Sequence, residues 1–457
     1  MKVLKFGGSV LKDGRDLENI ANIISKSFKK TDFIVVVVSA FYGITNALVE
    51  LTKSASSGKN YTKQFKKIYD FHIRLLKEIG TNDVENEIKG LFTNLDHILV
   101  IVKDAGKCGS EVFDAVLSFG ERLSSLIVAK YLLKNYQTLA VLHISSQDII
   151  KTDSNFGYAR VDIAKTEQII KNFFNTKKKK NIFVCAGFIG SDSEGRITTL
   201  GRNGSDYTAS IIASALCAES VEIWKDIDGL CTADPKIVKN AKFIDKISYQ
   251  EMAELSSLGN KVIHINAIFP CITKKIPIFL KNCYNQKCVG TKISADKNKI
   301  CKINGVVKLD NVVILKMKMN EFADVKSIAI KTQKIVQKFD NAIITISQNI
   351  KQKIYSMIVV SNDVDFIVNN MNEELADFID NDDILIKVSD KKSIISVIGS
   401  GISNAVGIAG RIFDTIQKNH ISINAIHDDF SETRISFLCD VKDANKVIKV
   451  LHKKLVG

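Results

Sequence analysis

A chain of 457 residues with 46% apolar, 25% charged and 8% aromatic side chains has a globular composition, and its length points to two or three cores rather than one. Its formal charge of +14 is spread along the chain without interleaved aromatic residues, which argues against nucleic acid as a partner. Nine cysteines, odd in number and without a CxxC pair or a Cys/His array, fit reduced thiols and provide no metal ligands.

The opening MKVLKFGGSV has no apolar targeting segment. The longest apolar runs, such as Phe33–Ala40, fall short of the ~20 residues of a spanning helix, so a cytoplasmic protein without a membrane partner is expected. Strands are predicted at Val3–Phe6, Phe33–Ser39, Thr138–Ile144, Ile182–Ala186, Val221–Trp224 and Ile276–Leu280. The run Ile34-Val-Val-Val-Val38 does not alternate, as expected of a strand buried on both faces of a parallel sheet. The stretch from Phe41 to Leu126 is mostly helical in pattern, and Lys177–Lys180 reads as a solvated loop. An apolar helix is predicted over Ala209–Ala218.

Beyond a boundary at about residues 295–308 the elements shorten. Val312–Met317, Lys326–Phe339, Ala342–Ser347, Tyr355–Ser361 and Asp363–Ile379 give one strand-helix-strand-strand-helix unit. Ser393–Gly399, Val406–Asn419, Ile421–His427, Arg434–Val441 and Ala444–Lys453 give a second, clearer ferredoxin-like unit, with a first strand that could be swapped in from elsewhere. Two such units in tandem suggest a regulatory half.

Two segments carry chemistry. In Lys5-Phe-Gly-Gly-Ser9, glycines after a strand let backbone N–H groups approach a phosphate, and a lysine beside them can neutralise its oxygens; a plain tight turn is the alternative. In Thr198–Thr208, Gly201 and Gly204 bracket Arg202, and Ser205 and Asp206 stand where a helix start attracts anions. An ordinary N-cap at Ser205 or Asp206 would account for the hydroxyl and the acid but not for Arg202.

Lys5–Ser9, Ser39–Asn46 ending in Gly-Ile-Thr-Asn, Ser118-Phe-Gly-Glu-Arg122, Thr199–Thr208, Val221–Pro235 and Met252–His264 resemble, in order, the signature segments of aspartokinases within the amino acid kinase family. The resemblance spans the chain and includes a tail similar to paired ACT domains. It implies an α/β fold: a three-layer, parallel-sheet amino acid kinase domain over 1–295, then two ferredoxin-like ACT domains, a divergent one over 308–385 and another over 386–457. The implied reaction moves the γ-phosphoryl group of ATP, with Mg2+, onto the side-chain carboxylate of L-aspartate.

In that reading Lys5 and Asp206 are catalytic. Thr45, Glu121, Arg202 and Ser205 bind the amino acid, with Glu121 on its ammonium group and Arg202 on a carboxylate. Lys5, Gly7, Gly8, Ser9, Lys225, Asp226, Cys231, Lys236, Lys261 and Val262 bind ATP. Taken alone, Glu121 beside Arg122 could be a surface ion pair, Thr45 a loop cap, and Asp226 a turn residue. The resemblance further implies an amino acid effector at the ACT-like units and a homodimer or higher homo-oligomer. The chain departs from the family pattern at Phe41 and Tyr42, at Asn203, at Lys225, Cys231 and Lys236, and at Ile265. In the first ACT-like unit, Glu321–Lys326 lacks the usual glycine-led loop; in the second, His427–Phe430 stands in place of a Gln-Gly turn. No GxGxxG segment is present, so no fused homoserine dehydrogenase is expected. The competing readings are a sister kinase acting on another carboxylate and a catalytically silent amino acid sensor.

Overall fold

The computed structural model describes residues 1–29, 33–81, 84–136, 140–176, 181–258, 262–296, 302–339, 342–349, 351–402, 404–427 and 432–457. The lysine run 177–180, Lys261 and most of the segment 427–430 therefore lie outside the described residues. By proximity of Cα atoms the chain forms two compact units. One comprises Met1–Leu230, Ile244–Ala253 and Lys261–Lys297; the other comprises Cys231–Phe243, Glu254–Asn260 and Asn298–Gly457.

The first unit is built on an eight-stranded sheet. In spatial order its strands are Lys246–Ser248, Thr291–Ser294, Ile278–Asn282, Ser220–Lys225, Lys2–Phe6, Phe33–Val38, Asn181–Ala186 and Val141–Ile144. All neighbouring pairs are parallel except Ile278–Asn282 with Thr291–Ser294. The non-alternating valines meet their expected environment. Ile34, Val36 and Val38 pack with Leu4 and Phe6 against Leu17, Ile20 and Ile24 of the amphipathic helix Gly14–Phe28. Val35 and Val37 point to the other face, also fully buried. On that side the helix Gly204–Ala215 lies against the first strand. Each such buried side chain contributes about 1.5–3 kcal/mol relative to exposure. Four helices, Ile44–Ser56, Thr62–Ile79, Glu85–Ala105 and Ser110–Asn135, form the excursion expected between Phe41 and Leu126.

The second unit holds a seven-stranded antiparallel sheet. Its order is Ile343–Asn349, Ile354–Val360, Lys302–Met319, Lys392–Ser400, Arg434–Asp440 and Ala425–His427, with Ile384–Val388 also paired to Lys302–Met319. The 18-residue strand Lys302–Met319 serves both halves. Its first part pairs with Lys392–Ser400, and its second part pairs with Ile354–Val360 and Ile384–Val388. The clearer ferredoxin-like unit thus takes its swapped strand from Lys302–Leu309. Apolar clusters around Ile395, Phe437 and Leu451, and around Leu315, Met357 and Ile367, fill the two halves.

Several boundaries differ from expectation. The strand placed at Ile276–Leu280 is Ile278–Asn282, because Pro277 sits at its start and has no N–H for the ladder. The helix placed at Asp363–Ile379 breaks at Leu375 into Val364–Glu374 and Ala376–Asp380. The strand placed at Ile421–His427 is only Ala425–His427. In place of a glycine-led loop, Asp324 caps the helix Val325–Lys338 by accepting from the Lys326 and Ser327 amides. Among the described residues no helix is long and apolar enough to cross a membrane.

Candidate active site

Lys5 lies in the middle of the first sheet, paired with Val37 on one side and Ile223 on the other. Its ammonium group meets Asp206 Oδ1 at 2.5 Å. The other oxygen of Asp206 lies 3.2 Å from Lys225 Nζ, and Lys225 also donates to the Val262 carbonyl. One buried carboxylate is therefore clamped between two ammonium groups, leaving a net positive centre. Burial depresses the pKa of Lys5, opposed by Asp206 and reinforced by Lys225. For Asp206 burial alone would raise the pKa, but the two lysines outweigh it and keep the acid ionised.

This centre lines a cavity of about 870 Å³. Gly7, Gly8 and Ser9 form one wall, with the Gly7 amide anchored to the Trp224 carbonyl at 3.1 Å. The starts of the helices Ile44–Ser56 and Gly204–Ala215 bring Thr45, Gly204 and Ser205 to the same cavity, where helix N-termini favour negative charge. The helix predicted from Ala209 begins five residues earlier, at Gly204, and ends at Ala215. Neither Ser205 nor Asp206 is therefore its N-cap; Asn203 holds that place at φ 56°, in the left-handed region that asparagine tolerates. The polar residues Gly204–Asp206 form its buried first turn.

Glu121 enters from the helix Ser110–Asn135 and is 4% exposed. Burial pushes its pKa up to about 8, and the Ala40 backbone and the charge of Lys5 pull it back only part of the way. Among the described residues nothing hydrogen-bonds its Oε2. A buried, unsatisfied acidic oxygen on a cavity wall suits a cationic ligand group. Glu121 is thus no surface ion pair with Arg122.

Two supports were not singled out in the sequence. Asp114, two helical turns before Glu121 on the same face, is fully buried and accepts from the Gly157 amide (2.9 Å), the Thr199 amide (2.7 Å) and Thr199 Oγ1 (2.8 Å). It pins the start of the segment between the strand Ile197–Thr199 and the helix at Gly204, and its spacing of seven from Glu121, with Leu117 between, was the available signal. Asp114→Ala leaves these donors buried and unpaired, so a loss of about 1–3 kcal/mol is expected, read as a lowered Tm. Gly187, just after the strand Asn181–Ala186, touches the Ser205 turn so closely that a Cβ would lie 2.4 Å from Ser205 Cβ and 2.7 Å from its Cα. Gly187→Ala must displace that turn, and overpacking of this kind costs about 1–3 kcal/mol, checked by thermal melting.

Of the other anticipated residues, Arg202 is exposed on the cavity rim, and Asp226 and Val262 line the wall beside Lys225. Cys231 and Lys236 belong to the second unit, and Lys261 lies outside the described residues. Phe41 turns into the core, its ring 5.6 Å from that of Phe71 and 5.8 Å from that of His72, while Tyr42 stands 67% exposed at the mouth. His264 Nδ1 accepts from the Asn266 amide and caps the turn Ile265–Ala267, a role that does not need the proline usual at position 265.

Comparison with known proteins accords with this geometry. A model of the amino acid kinase family matches residues 1–282, and a model of the ACT domain matches residues 395–455. The bifunctional aspartokinase/homoserine dehydrogenase of Buchnera aphidicola is 30% identical over 468 residues, covering 100% of this chain and 56% of that one. The chain thus spans about half the length of the bifunctional relatives it matches. The lysine-sensitive aspartokinase 3 of Escherichia coli is 27% identical over 99% of this chain and 98% of its own. Among solved structures, E. coli aspartokinase III in complex with aspartate and ADP matches at TM-score 0.86 and 25% identity, with 100% of both chains covered. The same enzyme with lysine and aspartate matches at TM-score 0.78.

Proposed function

Because the chain belongs to the amino acid kinase family, we propose that it transfers the γ-phosphoryl group of ATP to the side-chain carboxylate of L-aspartate, giving 4-phospho-L-aspartate. The observation that carries this reading is the buried Lys5–Asp206–Lys225 clamp sharing one cavity with the unsatisfied acid Glu121. The names of the full-length relatives, which include aspartate and ADP complexes, support the choice of substrates.

A carboxylate nucleophile is already ionised near neutral pH, so no general base is needed. What remains is alignment and positive charge around the moving phosphoryl group. Lys5 supplies charge to the transferring group, and Asp206 holds Lys5 and Lys225 in place against their mutual repulsion. The Gly7–Ser9 backbone, Lys225, Asp226 and Val262 cradle the nucleotide. Glu121 takes the substrate ammonium, Arg202 forks onto its α-carboxylate, and Thr45 and Ser205 close the pocket. Among the described residues no three His, Cys, Asp or Glu side chains gather into a metal site, and Asp206 is already held by two cations. Mg2+, when bound, would shield the charge of the phosphates.

The same reading assigns an amino acid effector and self-association, as a homodimer or higher homo-oligomer, to the ACT-like unit, and a cytoplasmic location. The test is formation of a hydroxylamine-trappable acyl phosphate from L-aspartate that depends on ATP and Mg2+. Turnover is expected with aspartate; folded protein that gives none would remove the proposal.

A further inference from the structure

We propose that a second cavity, on a different face of the helix that carries Glu121, binds a small oxyanion, a carboxylate or a phosphate group, on the guanidinium of Arg122. The cavity holds about 310 Å³, at the lower end of small-molecule sites, and takes in Arg122, Ser125, His143, Ser145, Gln147 and Glu87. All of these belong to the first unit. The two cavities are separate: Asp114, Leu117 and Glu121 of the helix Ser110–Asn135 line the first, whereas Arg122, Ser125 and Leu126 line the second.

Arg122 is set up for an anion. Its guanidinium carbon lies 4.6 Å from the centre of the Phe119 ring, a cation–π contact that holds the group without using its N–H donors. Burial alone lowers its pKa, with no neighbouring charge contributing, so among the described residues no carboxylate compensates the cation. Glu87, the acid on the cavity wall, is engaged by Lys130 at 2.7 Å. The remaining polar lining carries no formal charge; Ser125 donates to the Arg122 carbonyl at 3.2 Å and Ser146 to the Ala186 carbonyl, which leaves the Ser145 hydroxyl and the Gln147 amide for an occupant. Ser125 Oγ lies 3.0 Å from His143 Nε2, and burial keeps the imidazole below its ordinary pKa. A half-buried planar cation beside hydroxyl, imidazole and amide groups matches the two coplanar oxygens of a carboxylate or of a phosphate edge.

An occupant would lie next to the reaction cavity on two sides. Glu121 and Arg122 are consecutive residues, and Ala186 and Ile189 of the second cavity flank Gly187 and Phe188, which touch Ser205 and the first cavity. The proposal concerns binding alone and does not depend on which reaction the first cavity performs.

The full chain titrated calorimetrically with inorganic phosphate, and separately with malonate, tests it. Arg122→Gln should weaken the second-site component by about tenfold or more, through loss of the charge-assisted fork. Glu87→Gln should strengthen it by roughly threefold, through loss of a nearby negative charge. A response to phosphate alone assigns the site to phosphate compounds, to malonate alone to carboxylates, and to both to oxyanions generally. Affinities for both anions unchanged in folded Arg122→Gln overturn the proposal. Should that variant not fold, an unchanged affinity in Glu87→Gln overturns it equally.

Discussion

Lys5→Ala is expected to lower kcat for aspartate phosphorylation by about 10²–10³, the usual cost of removing one preorganised group that stabilises transition-state charge. The loss is expected mainly in kcat, because the charge of Lys5 matters most while the phosphoryl group is in transit. Its ammonium is buried 2.5 Å from Asp206, so the variant also leaves that carboxylate with Lys225 as its remaining cation. Lys5→Arg keeps the charge but cannot seat a planar fork in the same place, and only partial rescue is expected. Rates measured by hydroxylamine trapping alongside melting curves separate catalysis from folding. A folded Lys5→Ala protein with wild-type kcat would remove Lys5 from the chemistry.

Glu121→Gln should raise the KM for aspartate by about 30–150-fold, as expected for a charge-assisted hydrogen bond worth roughly 2–3 kcal/mol. The effect has a pH signature. With a pKa of about 8, Glu121 carries its proton in the empty pocket at pH 7, so capture of the substrate ammonium must expel it. Wild-type binding should therefore release close to one proton at pH 7 and almost none well above pH 8. Calorimetry in two buffers of different ionisation heat measures this. Below pH 8 the KM should fall by up to about tenfold per pH unit as pH rises, and in Glu121→Gln that slope should vanish. Stability moves the other way. A carboxyl whose pKa is raised by folding stays protonated when the unfolded chain would release the proton, so the wild type loses stability as pH rises from its unfolded pKa towards about 8 and levels off beyond. Glu121→Gln should thus melt progressively higher than wild type across that window. Equal melting temperatures at pH 5 and pH 8.5, together with no proton release, would refute the buried-acid assignment.

The parts of this site that were legible in the sequence are those where local rules are broken together. Glycines directly after a strand at Gly7 and Gly8, and Arg202 beside Ser205 and Asp206, exceed what turns and caps require. Their convergence was not legible from residue spacing, because Lys5, Glu121, Asp206 and Lys225 meet only through the crossover order of the parallel sheet. The polar run Gly204–Asp206 looked like a loop since polar residues seldom fill a buried helical turn; here the first turn is buried because it serves the cavity. Asp114 and Gly187 escaped notice because each acts through a partner distant in sequence: Thr199 for Asp114, Ser205 for Gly187. In the second unit, Asp310-Asn311 has the composition of a turn, yet Asn311 at φ 60° makes a bulge and the strand continues.

That uninterrupted strand sets how the small unit can behave. At about 3.3 Å per residue, Lys302–Met319 is a beam roughly 60 Å long whose two ends belong to different lobes. Neither lobe can be excised, swapped or melted without removing a structural member of the other, so both should unfold in one cooperative step. The bulge at Asn311 lies between the two ends, so it is the place where the beam can bend and where one lobe can turn against the other.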